Sequence, residues 1–179
     1  MLLSSSICFS QISNDSIIYW NDEYKLECTD FRSVPKDTTE CITTISMIGI
    51  DTKGFWSNNL PNYMIYPTFN RYASWNKDTT CSIISHEQLH FDIAELYARI
   101  LRKQVSVLRQ DNNANIQDYQ VAITNVFKEW MQADSTYDEE THHGMYKAKQ
   151  KEWNTKVATK IEKLRIYEVD YIEYIDKHA

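Results

Sequence analysis

Residues 82–110 read SIISHEQLHFDIAELYARILRKQVSVLRQ, and this stretch separates two halves of the chain that differ in character. It contains no Gly or Pro, and its apolar residues recur at the three- and four-residue spacing of a helix. These apolar residues are Leu89, Ile93, Leu96, Tyr97, Ile100 and Leu108. We therefore predict one long helix over residues 82–110.

The chain after this helix is also predicted to be helical. Residues 111–115 break the first helix, a second helix spans roughly 116–131, and residues 134–144 form a polar loop. A third helix begins near Met145 and continues almost to the C-terminus. Its apolar stripe consists of Trp153, Val157, Ile161 and Leu164.

The chain before the long helix has the composition of β-structure. Short runs rich in aromatic and β-branched residues predict extended segments at 17–20, 24–31, 41–50 and 63–75. Gly54 and Pro61 mark residues 51–61 as a loop. Strands followed by helices, rather than alternating with them, predict an α+β fold in which a mostly antiparallel sheet precedes three helices.

The segment His86-Glu87-Gln88-Leu89-His90 carries the clearest chemical signal in the chain. Residues four apart lie on one face of a helix, so the imidazoles of His86 and His90 are placed to bind one Zn²⁺. Glu87 lies beside them, as a general base toward a zinc-bound water requires. The alternative is a pair of histidines that only packs against the protein or faces water.

Two histidines leave a catalytic zinc site incomplete, because such an ion usually has three protein ligands. At about 100° per residue, Asp92 and Glu95 point away from the histidine face, so we expect them to orient the histidines from an outer shell or to cap backbone. His178 is next to last in the chain, where the ends of chains are commonly frayed, so we do not expect it to be the third ligand. His142 and His143, in the predicted polar loop, are the remaining candidates, with simple exposure as the alternative.

Four segments form a specific set: HEQLHFDIAE at 86–95, LECTDF at 26–31, ASW at 73–75 and YDEETHHG at 137–144. Together they resemble a bacterial family of predicted secreted zinc-dependent proteases, the domain of unknown function 922. HE-x-x-H alone occurs in many peptidase families, whereas the combination is far more specific. The chain departs from the family pattern at Cys28, where Trp is usual.

The resemblance implies a zinc metallopeptidase of the HExxH type that acts on a peptide or protein substrate. It also implies that His143, in preference to His142, is the third ligand of a single Zn²⁺. In the mechanism expected for such a site, Glu87 takes a proton from the zinc-bound water and delivers it to the leaving amine. Tyr137 and His142 are the local candidates for a second oxyanion donor.

Two other functions compete with the peptidase. A zinc amidohydrolase of cell-wall peptides needs the same metal, water and base, so the sequence does not separate it from a peptidase. A non-catalytic zinc-containing binding protein would not need Glu87, and it would favour a fourth protein ligand. Cys81, close to His86 in sequence, is the candidate for that fourth ligand.

Charge and length exclude several classes of partner. The 179 residues carry a formal net charge of −6 and include no Lys/Arg-rich block, which argues against nucleic acid. No apolar stretch is long enough to span a bilayer. The length suits one domain with its own core.

The N-terminus has features of an export signal. Residues 1–10 carry no charge, and Cys8 and Ser10 are small residues suited to a cleavage after Ser10. No Lys or Arg precedes Lys25, so the positive segment of such a signal is missing, and an ordinary apolar strand is the alternative. We expect residues 1–10 to be a signal-peptide remnant and 11–179 to be a single zinc-hydrolase domain that is secreted or periplasmic.

The cysteines fit an oxidising compartment only in part. Removal of Cys8 with the signal would leave an odd number, so at least one thiol would be free or in an intermolecular bond. Cys28 and Cys41 are expected either to pair across a hairpin or to remain two buried thiols.

Overall fold

The computed structural model describes residues 16–35, 43–78 and 80–169 of the chain. The predicted signal remnant at 1–10 and Cys41 lie outside the described residues. Within them, antiparallel strands come first and three helices follow, which confirms the predicted α+β class and the order of its elements.

The strands form two small antiparallel sheets. In chain order they are β1 (Ile17–Tyr19), β2 (Thr44–Ile45), β3 (Ile48–Ser57), β4 (Leu60–Asn70) and β5 (Trp75–Asn76). The larger sheet has the order β1-β4-β3, and β2 pairs with β5 in the smaller one. The long strand β4 is therefore central in the larger sheet, with β1 on one side and β3 on the other.

The predicted loop at 51–61 is wrong, because most of this segment is the far end of the β3–β4 hairpin. The chain turns at Asn58 and Asn59, whose φ angles of 53° and 59° are those of a two-residue type I′ turn. Asn tolerates this left-handed geometry better than most residues with a side chain. Gly54 lies within β3, opposite Tyr63, and does not end the strand.

Two of the predicted strands also differ from the structure. The described part of segment 41–50 is interrupted, because the Met47 backbone N–H donates to the Ser74 hydroxyl (2.8 Å) instead of to a neighbouring strand. Segment 24–31 is a loop with one 3-10 turn at Cys28–Asp30. The carboxylate of Asp30 accepts a hydrogen bond from the backbone N–H of Glu27 (2.8 Å), and this local contact favours the turn over a strand.

Three helices follow: α1 (Ile84–Gln110), α2 (Ile116–Thr141) and α3 (Lys147–Lys163). The prediction of one long helix over 82–110 is confirmed. The predicted polar loop at 134–144 is wrong over most of its length, because α2 continues to Thr141. The third helix ends earlier than predicted and is followed by a 3-10 turn at Arg165–Tyr167. None of the described helices combines the length and the apolar character needed to cross a membrane.

Helix α1 is the central element of the fold. On one side, its Ala98 belongs to a buried cluster that includes Ile65 of β4. On another side, its Leu89 belongs to a cluster with Tyr137 of α2 and Trp153 of α3. The N-terminal half of α1, which carries the HE-x-x-H segment, therefore lies where α2 and α3 pack against it.

A disulfide joins Cys28 to Cys81, with 5.9 Å between their Cα atoms. Both alternatives for Cys28, a bond to Cys41 and a free buried thiol, are therefore wrong, because the fold places the 3-10 turn beside the start of α1. Because the Cys81 sulfur is already bonded, it is not available as the fourth zinc ligand considered above.

Segment 26–31, part of the family resemblance, also contacts the N-terminal part of α1. The backbone N–H of Leu26 donates to the side-chain oxygen of Gln88 in α1 (2.8 Å). Asp30 is buried and forms an ion pair with Arg71 (3.0 Å). Burial and the Asp30 carboxylate raise the pKa of Tyr24, whose hydroxyl donates to Asp30, to about 12.

Candidate metal centre

His86 and His90 lie one turn apart on α1, and both residues are buried. Their Nε2 atoms are 3.2 Å apart. Two nitrogens bound tetrahedrally to zinc at 2.0–2.1 Å would be separated by roughly 3.3 Å. The pair thus has the spacing of two ligands to one ion.

The far nitrogen of each ring faces an oxygen acceptor. Nδ1 of His90 is 2.6 Å from Oδ1 of Asp134, and Nδ1 of His86 is 3.1 Å from Oε1 of Gln150. An acceptor at Nδ1 favours a proton on that nitrogen, so Nε2 is the nitrogen suited to bind a metal ion. Histidines that bind metals are commonly oriented in this way by a carboxylate or a carbonyl oxygen.

Gln150 is itself held in one orientation. Its amide nitrogen donates to Oδ1 of Asn154 (2.9 Å), so its oxygen faces His86. The Tyr137 hydroxyl donates to the same oxygen (2.7 Å) and lies 3.1 Å from the backbone carbonyl oxygen of His86. Burial raises the pKa of Tyr137 well above its usual range, so the hydroxyl remains a donor. Tyr137, considered above as an oxyanion donor, therefore belongs to the support of His86.

Asp138, which the sequence analysis did not select, is the third member of this cluster. Its Oδ1 lies 2.9 Å from Nε2 of His86 and 3.0 Å from Nε2 of His90. One ligand atom from each of the three residues lies within 4.8 Å of the other two. Among the described residues, this is the group with the arrangement of a metal site.

Asp134 and Asp138 were missed because their segment was assigned to a loop. In a helix, residues four apart share a face, so α2 directs both carboxylates toward His90. A signal for this was present in the sequence, since no Gly or Pro occurs between Ile116 and His143. Asp134 and Asp138 face the histidines, whereas the neighbouring Ser135, Glu139 and Glu140 are exposed on the same helix.

The electrostatics of the cluster favour positive charge. Burial lowers the pKa of His90, but hydrogen bonds to Asp134 and Asp138 outweigh it and raise this pKa to about 10. Burial raises the pKa of Asp138, but its hydrogen bonds with His86 and His90 hold it well below the usual range. Two carboxylates beside two buried imidazoles therefore attract a cation.

His143, the predicted third ligand, lies at the edge of this group. Its Nδ1 is 3.3 Å from Oδ1 of Asp138, and its side chain is 75% exposed. The ring of His142 instead contacts that of Tyr146, with ring centroids 4.2 Å apart. Of the two histidines, His143 is thus the one in contact with the cluster, and its role as a ligand stays a prediction.

The turn that carries these histidines is pressed against α1. After Thr141, three residues in succession have positive φ: His142 (47°), His143 (51°) and Gly144 (80°). A Cβ atom on Gly144 would lie 3.0 Å from Cβ and Cγ of His86. Glycine is required there both by the left-handed backbone and by the close approach to His86.

Glu87, the predicted general base, is buried, and its Oε2 accepts a hydrogen bond from the Ser46 hydroxyl. Ser46 lies in the short interruption between β2 and β3, so this contact comes from the sheet and not from α1. The sequence analysis did not identify Ser46, because the pairing joins residues 41 positions apart.

Asp92 and Glu95 do not orient the histidines, so that expectation is wrong. Asp92 accepts a hydrogen bond from the indole N–H of Trp20 (2.8 Å). Glu95 forms buried ion pairs with Arg99 (2.7 Å) and Arg102 (3.1 Å). As the helix periodicity predicted, both carboxylates point away from the histidine face of α1. Their partners lie outside the cluster of His86, His90 and Asp138.

Comparison with known proteins connects this segment to one family. Residues 66–144 match the family model of a bacterial protein of unknown function, DUF922. This is the family that the sequence resembles, and its description names no activity. The matched segment contains His86, His90 and Asp138 but not Gln150. Neither the curated proteins nor the solved structures include a significant match to the chain.

The contact between Asp134 and His90 yields a measurable prediction. Replacing Asp134 with Ala removes the acceptor that orients the ring, so we expect zinc affinity to fall about 10- to 100-fold. Competition with a chromophoric chelator measures this change. Glu129→Gln, an exposed charge change on the same helix, should leave the affinity unaltered. Equal affinities for the Asp134 variant and the unaltered protein would contradict the orienting role.

Proposed function

We propose that the protein is a zinc-dependent hydrolase, and specifically a secreted or periplasmic metallopeptidase, with His86 and His90 as zinc ligands and Glu87 as general base. One observation carries this proposal: the two Nε2 atoms lie 3.2 Å apart while each Nδ1 faces an acceptor. Zinc that displaces any protons from Nε2 would find two ring nitrogens at the spacing that a zinc site requires.

The residues around this point have separable tasks. A zinc ion held there would act as a Lewis acid and lower the pKa of its water toward about 7. Glu87 accepts the proton of the attacking water and returns it to the leaving amine. Because Ser46 donates to one Glu87 oxygen, it fixes the direction of the carboxylate and leaves the second oxygen for the proton.

Two features favour a catalytic site over a structural one. A structural zinc site is usually closed by a fourth protein ligand, and the sulfur of Cys81 is engaged by Cys28. A structural site also has no need of a buried carboxylate directly after its first histidine. Glu87 has that position and is held by a hydroxyl from another element.

The disulfide supports the proposed location. Bonds such as Cys28–Cys81 form and persist in the periplasm and outside the cell and are rare in the cytosol. We therefore propose that the protein acts in the cell envelope or beyond it.

The test combines metal analysis with an unbiased peptide library. The purified protein is expected to contain about one zinc per chain and to cleave library peptides; a strong chelator should abolish cleavage, and added zinc should restore it. Absence of zinc binding, or cleavage that persists fully in chelator, would refute the proposal. Product identification by mass spectrometry would also distinguish peptide bonds from other amides.

A further inference from the structure

One oxygen atom of the metal cluster faces three imidazole nitrogens. Oδ1 of Asp138 lies 2.9 Å from His86 Nε2, 3.0 Å from His90 Nε2 and 3.3 Å from His143 Nδ1. No other carboxylate among the described residues shares this position with both helical histidines.

The three inner atoms of this cluster, two imidazole nitrogens and one carboxylate oxygen, are of the types that bind zinc. Gln150 and Asp134 face Nδ1 of His86 and His90, so Nε2 is the nitrogen that each ring directs at the cluster. These three atoms lie 2.9–3.2 Å from one another, close to the roughly 3.3 Å expected between two ligands of one tetrahedral zinc ion. The arrangement is therefore suited to a cation shared by all three atoms.

We propose that Asp138 is the third protein ligand of the zinc ion and that His143 is its outer hydrogen-bond partner. This inference rests on the proposed function only for zinc binding at His86 and His90. Carboxylate oxygens bind zinc at 2.0–2.2 Å, close to the distance for imidazole, so the compact triangle suits a mixed ligand set.

The surroundings of the two competing residues favour Asp138. Asp138 lies within regular helix, one turn after Asp134, and 32% of its side chain is exposed. His143 lies on a turn of left-handed residues with 75% of its side chain exposed. Holding so exposed a ring at the metal would cost more side-chain entropy than using a carboxylate already packed against both histidines.

The same geometry assigns His143 a secondary task. A ligating carboxylate is usually hydrogen-bonded by an outer partner, and His143 is within reach of Asp138. Its exposure places this contact at the open edge of the site. His143 therefore tunes the ligand without contacting the ion.

Zinc affinity of paired variants tests this assignment. Loss of a direct ligand should exceed the roughly 10- to 100-fold effect of losing an outer partner, so Asp138→Ala is expected to weaken zinc binding by more than about 100-fold. His143→Ala is expected to weaken it by about 10-fold or less. A loss for Asp138→Ala no larger than that for His143→Ala overturns the inference. Circular dichroism checks that both variants are folded.

A cobalt probe tests direct contact without relying on affinity. In Asp138→Cys, bound Co²⁺ is expected to show the near-ultraviolet charge-transfer band of a cobalt–thiolate bond, and in His143→Cys it is not. The unaltered protein, which has Cys8 and Cys41 besides the disulfide, supplies the background spectrum. The opposite pattern, with the band only in His143→Cys, overturns the inference.

The outcomes separate this inference from the proposed function. If the unaltered protein binds neither zinc nor cobalt, both fail. If it binds zinc tightly and Asp138→Ala binds equally well, the zinc hydrolase survives and only the role of Asp138 is wrong.

Discussion

Replacing Glu87 with Gln is expected to lower the rate of peptide hydrolysis by about 10²- to 10⁴-fold while leaving the zinc content unchanged. Gln has the shape of Glu and can still accept the Ser46 hydrogen bond, but it cannot take a proton from water. The two measurements are metal content per chain and the initial rate on the best library substrate. A rate equal to that of the unaltered protein would contradict the mechanism.

Two control variants separate the loss of the general base from the loss of the metal ion and from the loss of the hydroxyl that orients the base. His90→Ala should lose zinc as well as activity, because it removes a proposed ligand and the partner of Asp134. Ser46→Ala should retain zinc and lose less activity than Glu87→Gln, because Glu87 keeps its carboxylate and loses only its orienting donor. A Ser46 variant that loses its zinc would show that the hydroxyl supports the fold of the site instead of the base.

The second large effect is expected on stability, at Glu95. This carboxylate pairs with Arg99 (2.7 Å) and Arg102 (3.1 Å), and the side chains of Glu95 and Arg99 are each 2% exposed. Glu95→Ala would leave a buried guanidinium without its main partner, which should lower the free energy of unfolding by about 3–5 kcal/mol. Urea denaturation followed by tryptophan fluorescence measures the change.

An exposed ion pair supplies the matched control. Glu162 lies 3.7 Å from Arg165, and each side chain is 72% exposed. Glu162→Ala should leave the midpoint of urea denaturation within error, because solvent screens such a pair. If Glu95→Ala proves as mild as this control, the buried ion pairs do not contribute to stability in the way proposed.

The helical half of the protein shows which sequence signals were sufficient. The apolar spacing and the lack of Gly and Pro predicted the start of α1 to within two residues and its end near Gln110. The same lack of helix breakers extends through α2, but the dense polar residues after Asp134 were interpreted as a loop. Polar residues facing a buried site resemble polar residues facing water, so composition alone favoured the wrong boundary.

The β half shows a similar error, a loop predicted where the chain forms a regular element. Asn58 and Asn59 form the turn, yet Gly54 and Pro61 attracted the loop assignment. Both fit within paired strands, because Gly54 lies opposite Tyr63 and Pro61 opposite Trp56. Only the register of the hairpin reveals this, and register depends on side chains that meet across the strands.

By itself, the sequence determined what a single helix can encode. His86, Glu87 and His90 lie on α1 as the four-residue spacing requires, because helix geometry is local and repeats every 3.6 residues. The resemblance to DUF922 likewise followed from short motifs, and the family match confirms it for residues 66–144.

Tertiary structure alone decided which groups surround those histidines. Asp134 and Gln150 reach His90 and His86 across 44 and 64 residues, and Asp138 reaches both because α2 packs against α1. The disulfide likewise joins cysteines 53 residues apart. Such contacts depend on how separate elements bury their apolar faces together, and no periodicity within one segment specifies that packing.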